Sequence, residues 1–157
     1  MAYPSVAAPY GFKPINRLDG MPYAGATRKL PIANTAGAIY FGDLVSITAG
    51  GTVAQFSGTT TGSPAGVFMG CSYTNPITKQ PTWAQYWPAN TSITDAAAII
   101  VDDPYAVFQV VVTNSGSVVN YAYADSIGSN MSIITGTGNS TTGDSGMSVL
   151  AGSQDVT

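Results

Sequence analysis

Residues 37–56 read GAIYFGDLVSITAGGTVAQF, and this stretch decides the predicted fold. Two runs rich in β-branched and aromatic residues flank a Gly-Gly pair, which is the pattern of two strands joined by a tight turn. Asp43 is the only charged residue in the stretch. Strands with so little charge pack on both faces, so we expect these faces to lie against other parts of the fold or against a partner.

The whole chain shares this shortage of charge. It has 157 residues, which is the size of a single domain. Charged residues make up 8% of the sequence, against about 25% in typical domains, while hydrophobic residues make up 45%. There is no Glu and no His. This composition favours strands and turns, because exposed helices usually cover their solvent side with Glu, Lys and Arg.

The first 35 residues are predicted to form an extended N-terminal arm. They hold five of the ten prolines, and such spacing is incompatible with a long helix or a central strand. Aromatic and aliphatic residues between the prolines provide apolar anchors that a flexible linker lacks. We expect the anchors to dock on the body of the same chain or on that of a neighbouring copy, and the sequence leaves both possibilities open.

The arm and the rest of the chain carry charges of opposite sign. Residues 1–31 hold four basic residues and one acidic residue, a net charge of +3. Residues 32–157 hold one basic residue and seven acidic residues, a net charge of −6. The arm of one copy can therefore lie on the acidic body of another, or its charges can simply be solvated.

The body, residues 36–157, is predicted to be all-β, as a small β-barrel or β-sandwich. Residues 96–113 predict a hairpin, because two β-branched runs meet at the turn signal Asp103-Pro104. The Gly/Ser/Thr-rich stretch near 135–146 predicts a long exposed hairpin or loop. The expected strands are 38–48, 52–57, 65–74, 82–87, 96–102, 105–113 and 117–123.

The residue types argue against an enzyme, a metal site or a cofactor. Without His, the Ser-His-Asp and Cys-His arrangements cannot form, and without Glu or His the usual zinc and calcium ligands are missing. Asp102 and Asp103 are adjacent, so in an extended chain they point apart, and we assign them to the turn. The single cysteine, Cys71, alternates with apolar residues and is predicted to be a buried thiol.

Nucleic acid and membranes are not expected partners either. The chain has five basic residues, and only Arg28 and Lys29 are adjacent, so few phosphates could be neutralised. No apolar run approaches the roughly 18 residues of a membrane span, and the start of the chain lacks the pattern of a signal peptide. We therefore predict synthesis in a cytoplasm.

The stretch TWAQYW contains the aromatic residues Trp83, Tyr86 and Trp87. Flat rings of this kind can stack on sugars, or they can pack in a core or at a subunit interface. If the stretch is a strand, Trp83 and Trp87 share one side. We treat the three residues as possible interface aromatics.

Several segments between about residues 8 and 112 share a pattern of strand and turn residues, namely PYGFKPINRLDG, IYFGDLVSI, the Gly-Gly turn before TVAQF, SPAGVFMGCSYTNPITKQPTWAQYWPA and VDDPYAVFQV. Together these segments resemble a family of capsid decoration, or cement, proteins of tailed bacteriophages.

The resemblance implies a β-barrel or β-tulip-like protein on the outer surface of an icosahedral phage head. Its partners would be the phage major capsid protein and further copies of itself, as a dimer or trimer. The arm would then bind the capsid or a neighbouring copy, with aromatic residues as anchors and cations setting the register. The arm residues concerned are Tyr3, Tyr10, Phe12, Lys13, Arg17, Tyr23, Arg28 and Lys29.

Two other interpretations compete with a cement protein. One is a different virion component, such as a head fibre base, a tail component or a receptor-binding module, in which Trp83, Tyr86 and Trp87 stack on a glycan. The other is a cellular β-sandwich adhesin or carbohydrate-binding module. A glycan-binding component predicts glycan affinity and few copies per particle, whereas a cement protein predicts many copies and no glycan affinity.

Overall fold

A computed structural model of the chain describes residues 9–58, 63–114, 117–118 and 127–150. The all-β prediction is confirmed, and each predicted strand overlaps an observed one, although residues 119–123 of the last lie outside the described ranges. The strands are β1 (Lys13–Arg17), β2 (Arg28–Pro31), β3 (Leu44–Ile47), β4 (Val53–Gln55), β5 (Gly66–Thr74), β6 (Pro81–Ala84), β7 (Ala97–Val101), β8 (Ala106–Gln109), β9 (Val112–Asn114), β10 (Ser117–Val118), β11 (Ile133–Ile134) and β12 (Ser148–Leu150).

These strands form three sheets. The largest has six strands in the order β2-β7-β5-β3-β4, with β6 added to β5. The long strand β5 is its centre, because β7 pairs along one side while β3 and β6 share the other. A four-stranded sheet has the order β10-β9-β12-β11, in which β12 and β9 are parallel, and β1 pairs with β8 in a two-stranded sheet.

The six-stranded sheet curls until its two edges approach each other. Ile32, which follows β2, forms a parallel bridge with Val53 of β4. A single bridge is not a continuous ladder of hydrogen bonds, so the described strands do not make a closed barrel. Of the two predicted architectures, they are consistent with the sandwich.

Each face of the six-stranded sheet carries its own hydrophobic cluster. Neighbouring residues on a strand point to opposite faces, and Val45, Phe68 and Ile100 lie in the first cluster while Leu44, Val67 and Val101 lie in the second. The first cluster fills the inside of the curled sheet. The second lies between this sheet and the β1–β8 pair. These two clusters explain why the strands of this sheet are apolar on both sides.

The predicted hairpin over residues 96–113 is wrong, although the turn itself exists. Asp103 accepts hydrogen bonds from Tyr105 N–H at its Oδ1 (2.9 Å) and from Ala106 N–H at its carbonyl oxygen (3.1 Å). However, β7 pairs with β5 and β2, whereas β8 pairs with β1. The turn therefore carries the chain from one sheet to another, because local turn chemistry reverses the chain without choosing the partner of either strand.

The described part of the predicted arm, residues 9–35, docks on the body of its own chain. β1 pairs antiparallel with β8, and β2 pairs antiparallel with β7 at an edge of the six-stranded sheet. Phe12 and Tyr23 pack against the second cluster. The prolines are consistent with this arrangement, because proline is tolerated in edge strands and turns.

A buried carboxylate, Asp43, lies where these parts of the fold meet. Its Oδ2 accepts hydrogen bonds from Tyr40 N–H and Gln55 Nε2, each at 2.8 Å, and its Oδ1 accepts one from the Ser145 hydroxyl at 2.5 Å. Ser145 Oγ in turn accepts the Met147 N–H at 2.9 Å. The one charge in the stretch 37–56 thus joins that stretch to a segment 102 residues further along the chain.

The backbone beside Asp43 makes further connections. Phe12 N–H donates to the Gly42 carbonyl at 2.9 Å, and Gly42 N–H donates to the Phe68 carbonyl at 2.8 Å. Phe41 N–H donates to the Gly143 carbonyl at 2.9 Å, and the Phe41 carbonyl accepts a hydrogen bond from Ser145 N–H at 3.0 Å. Residues 41–43 therefore bind the arm, β5 and the glycine-rich segment at once.

The Gly/Ser/Thr-rich stretch joins β11 to β12, which pair antiparallel, so it is the predicted hairpin connection. The prediction that it is exposed is wrong for its C-terminal end, since residues 145–147 are buried. Here Gly136 and Gly146 let two backbone segments cross closely. A Cβ added to Gly136 would lie 2.0 Å from the Gly146 carbonyl oxygen.

Replacing Asp43 should change both the stability and its dependence on pH. Asp43→Ala leaves buried donors unpaired, each at a cost of about 1–3 kcal/mol in the free energy of unfolding. Burial raises the pKa of the Asp43 carboxyl above its usual 3.8, although hydrogen bonds from Ser145, Tyr40 and Gln55 oppose this shift. The folded protein then binds this proton more tightly than the unfolded chain does.

The stabilising contribution of that proton is therefore complete below pH 3.8 and declines as the pH rises through the raised pKa. Asp43→Asn keeps the shape of the side chain but cannot titrate. Urea unfolding at a series of pH values should show the stability of the wild type relative to Asp43→Asn decreasing from acidic to neutral pH. A difference that does not vary with pH would contradict this explanation.

Gly136→Ala should destabilise the fold, because the added methyl group overlaps backbone atoms that cannot move aside alone. Overpacking of this kind costs about 1–3 kcal/mol. Gly37→Ala is the matched control, since a Cβ at Gly37 meets no atom within 4 Å. Calorimetry should show a lower Tm for Gly136→Ala and little change for Gly37→Ala. Equal Tm values for the two variants would show that the crossing is not tightly packed.

Candidate partner-binding surface

Two of the four cations predicted to bind a partner, Arg17 and Arg28, contact acidic groups of their own chain. Arg28 Nη2 lies 2.8 Å from Asp102 Oδ2, and Arg17 Nε lies 3.5 Å from Asp103 Oδ2. Both acids lie in the turn after β7, while the two arginines lie on β2 and β1. For these residues, the opposite charges of arm and body meet within one molecule.

The arm aromatics are also engaged within the chain. Lys13 Nζ lies 4.5 Å from the centre of the Tyr10 ring, which is a cation–π contact. Phe12 packs edge-on against Phe108, with ring centroids 6.5 Å apart. Tyr3 lies outside the described residues, so its proposed role stays a prediction.

Tyr23 lies close to the acidic turn. Its hydroxyl donates a hydrogen bond to the Ala26 carbonyl, and its ring packs against the second cluster. Burial raises the pKa of Tyr23, and the negative charges of Asp103 and Asp102 raise it further. These effects all favour the neutral form of the Tyr23 phenol.

The three aromatics of TWAQYW do not form one surface. Trp87 is fully buried in the first cluster, where its indole N–H donates to the Ala36 carbonyl at 3.3 Å. Tyr86 stacks on Tyr40 with ring centroids 5.5 Å apart. Trp83 alone is largely exposed, at 65%. The condition under which Trp83 and Trp87 would share one side is not met, because β6 ends at Ala84 and the chain bends before Trp87.

The structure brings together one predicted arm cation and one predicted interface aromatic. Lys29 Nζ lies 5.0 Å from the centre of the Trp83 ring. Lys29 pairs with Ile99 in the β2–β7 ladder, and Trp83 pairs with Ser72 in the β5–β6 ladder. Ile99 lies between two residues of the first cluster, so this group occupies the second face of the sheet.

An apolar groove of about 410 Å³ opens beside Trp83 on this face. The second cluster covers the sheet as far as Met69, and among the described residues none covers the part beside Trp83. We call this opening the Trp83 groove, and its principal lining residues are Phe41, Met69, Trp83, Gln85 and Ile99.

Gly70 lines the groove in a backbone conformation that other residues rarely adopt. Its φ is +132°, and the β5–β7 register shifts between Phe68 and Gly70. A Cβ at Gly70 would lie 3.0 Å from the Ala84 carbonyl oxygen, so β5 and β6 approach closely only because no side chain intervenes. Sequence reasoning missed Met69 and Ile99, since both look like ordinary core residues of apolar strands.

Cys71 is also among the lining residues, but its side chain is buried in the first cluster and is not a reactive group. The predicted buried thiol is confirmed, with Sγ 3.5 Å from the Tyr86 carbonyl oxygen. Burial raises the pKa of Cys71 to about 11, so the thiolate is scarce at neutral pH. In the described ranges, no three His, Cys, Asp or Glu residues are placed to hold a metal ion.

No helix among the described residues has the length and apolar character needed to cross a membrane. Comparison of the chain with protein-family models, curated proteins and solved structures finds no match. The geometry of the Trp83 groove and the residues that carry the family resemblance are therefore the basis for assigning a function.

Replacing the buried Trp87 should destabilise the fold far more than replacing the exposed Trp83. Trp87→Ala should lower the free energy of unfolding by about 3–5 kcal/mol, because it empties part of the first cluster. Trp83→Ala should change it by less than about 1 kcal/mol. Chemical denaturation of both variants provides the comparison.

Fluorescence gives an independent measurement. In Trp87→Phe, emission comes from Trp83 alone and should be readily quenched by acrylamide. In Trp83→Phe, emission comes from the buried Trp87 and should resist quenching. The opposite order would mean that the exposures of the two residues are wrongly assigned.

Proposed function

We propose that this protein is a structural virion protein that binds the outer surface of an icosahedral phage head. In this role it cements neighbouring major-capsid subunits against internal pressure. The resemblance of residues 8–112 to capsid decoration proteins supports the proposal. The structural observation that carries it is the Trp83 groove, where none of the described residues covers an apolar part of the sheet face.

The groove has the features of a surface that binds another protein. Burial of apolar area contributes about 25 cal/mol per Å², and an exposed tryptophan beside a groove offers more such area than any other side chain. Tryptophan is also enriched among residues that dominate interface energies. We therefore assign the groove to an apolar segment of a major-capsid subunit, with Lys29 and Gln85 supplying polar contacts at its rim.

The groove is already formed in the single chain, which reduces the entropic cost of binding. Trp83 lies on a strand paired with β5, and Lys29 covers part of its ring. A single groove of this size would bind only modestly. A head displays many equivalent sites, so copies that each contact several shell subunits gain strength by avidity.

The arm has a different part in this proposal from that expected from its charges. Arg17 and Arg28 are paired with acidic residues of the same chain, so they fix the arm to the body. Among the described arm residues, Lys29 lies beside the groove, over the ring of Trp83. In this proposal the arm contributes Lys29 to the edge of the capsid-binding surface.

A glycan-binding virion component is the second candidate, and the exposure of Trp83 is the observation that favours it. A lone ring beside Gln85 can stack on one sugar. The predicted three-residue platform does not form, because Trp87 is buried and Tyr86 stacks on Tyr40. The cement role therefore has more support.

Binding to heads tests the proposal directly. Heads of the encoding phage, assembled without this protein, should bind the purified wild-type chain in many copies and then release DNA at a higher temperature. Trp83→Asp should lose most of this binding, because it places a charge in the groove. Occupancy can be counted by electron microscopy of the particles.

Ile77→Asp is the matched control, because Ile77 is 88% exposed and lies in the β5–β6 connection outside the lining of the groove. It should bind heads like the wild type. Normal binding by Trp83→Asp would refute the role of the groove. Affinity for a glycan array together with no affinity for heads would favour the second candidate.

A further inference from the structure

Lys29 of β2 and Trp83 of β6 meet above the sheet, although β7 and β5 lie between their strands. At about 4.8 Å from strand to strand, the backbones of β2 and β6 are separated by roughly 14 Å. The two side chains nevertheless bring Lys29 Nζ to 5.0 Å from the centre of the Trp83 ring. Both side chains therefore extend over the second face of the sheet, above β7 and β5.

The residues of the two middle strands beneath this contact are mostly small. Trp83 pairs with Ser72, and Ser72 pairs with Ala97. In the neighbouring row, Gly70 pairs with Ile99. Only Ile99 among these middle-strand residues has a large side chain. A segment bound in the Trp83 groove would therefore meet short side chains on β5 and β7, with Trp83 beside it.

The described part of the chain does not neutralise the charge of Lys29. No described carboxylate forms an ion pair with Lys29, whereas the neighbouring Arg28 has its Nη2 2.8 Å from Asp102 Oδ2. An ammonium group has three N–H donors, and the Trp83 ring meets one side of it. Because Lys29 is exposed, its other donors are accessible to a partner.

A negative charge lies near another part of the groove. Gln85, which lines the groove, donates from its Nε2 to Asp144 Oδ1 at 3.3 Å. A carboxylate entering the groove is attracted by the Lys29 ammonium and repelled by Asp144. The two charges therefore favour one orientation of an acidic segment, with its carboxylate at Lys29 and away from Gln85.

We propose that the Trp83 groove binds a segment in which an acidic residue lies beside a large apolar residue. The apolar side chain lies against Trp83 and Ile99, and the carboxylate accepts hydrogen bonds from the Lys29 ammonium. Charge complementarity assigns this chemistry, because an apolar groove carries at its edge a cation without a described carboxylate partner. The inference rests on the proposed function, since it specifies which segment of a major-capsid subunit the groove takes.

Three small probes test this preference on the isolated chain. Phenylpropionate joins an aromatic ring to a carboxylate, phenylpropanol carries no charge, and phenylpropylamine carries the opposite charge. Heteronuclear NMR of the Trp83 indole N–H should report millimolar binding. The acid should bind about fivefold more tightly than the alcohol, which is the size of effect expected from an exposed ion pair. The amine should bind most weakly, and added salt should reduce the differences.

Variants of Lys29 show whether its charge causes the preference. Lys29→Met keeps a long apolar side chain without the charge, so it should bind the acid and the alcohol equally. Lys29→Arg should retain the preference for the acid. Lys79→Met is the matched control, because Lys79 is exposed and lies outside the lining of the groove. It should behave like the wild type, and binding of phenylpropanol by every variant shows that the groove is intact.

Several results with the probes would overturn the inference. One is equal affinity of the wild type for the acid and the alcohol. Another is a preference for the acid that persists in Lys29→Met. A third is a Trp83 indole signal that none of the three probes shifts.

Binding to phage heads separates this inference from the proposed function. Lys29→Glu should lower the affinity for heads about tenfold, because it places a like charge against the acidic segment, whereas Lys79→Glu should bind like the wild type. If Lys29→Glu and Lys79→Glu bind equally while Trp83→Asp does not bind, the inference fails and the proposed function stands. If the wild type prefers the acidic probe but binds no heads, the proposed function fails and the preference of the groove stands.

Discussion

The fold depends on keeping the carboxylate of Asp43 hydrogen-bonded inside an interior with almost no other charge. A buried carboxylate is costly unless donors surround it, and here Tyr40, Gln55 and Ser145 supply them. These donors come from the turn before β3, from β4 and from the glycine-rich segment. Residues 41–43 therefore lie where all these parts meet. The hydrogen bonds of one carboxylate hold together segments that are otherwise packed mainly through apolar side chains.

The sequence predicts the strands well and their partners poorly, for a physical reason. Alternating apolar residues and turn signals act over a few positions, and these identified the strand regions of the body as far as β10, whereas β11 and β12 were not among the expected strands. Pairing depends on distant segments, so the turn at Asp103-Pro104 was foreseen while the exchange of sheets after it was not. The ion pair of Arg28 and Asp102 was hidden for the same reason, since it requires the pairing of β2 with β7.

The candidate site could be predicted only in part. Trp83 stood out by residue type, but its separation from Trp87 follows from the end of β6, which the alternation does not reveal. The apolar surface expected to need a partner is smaller than the sequence suggests, because Phe12, Phe108 and Met147 of the same chain cover much of it. Gly70 lines the part that the described residues leave open, and its close approach to β6 is visible only in three dimensions.

The bond between Ser145 and Asp43 also has a consequence for how the protein is made. Its two residues are 102 positions apart, and joining such distant segments is slow because a large loop must close first. During synthesis, the early strands emerge from the ribosome with a carboxylate that still lacks one of its donors. The packing around Asp43 is therefore completed only after translation has passed the glycine-rich segment. Until then, water must solvate the Asp43 carboxylate of the nascent chain.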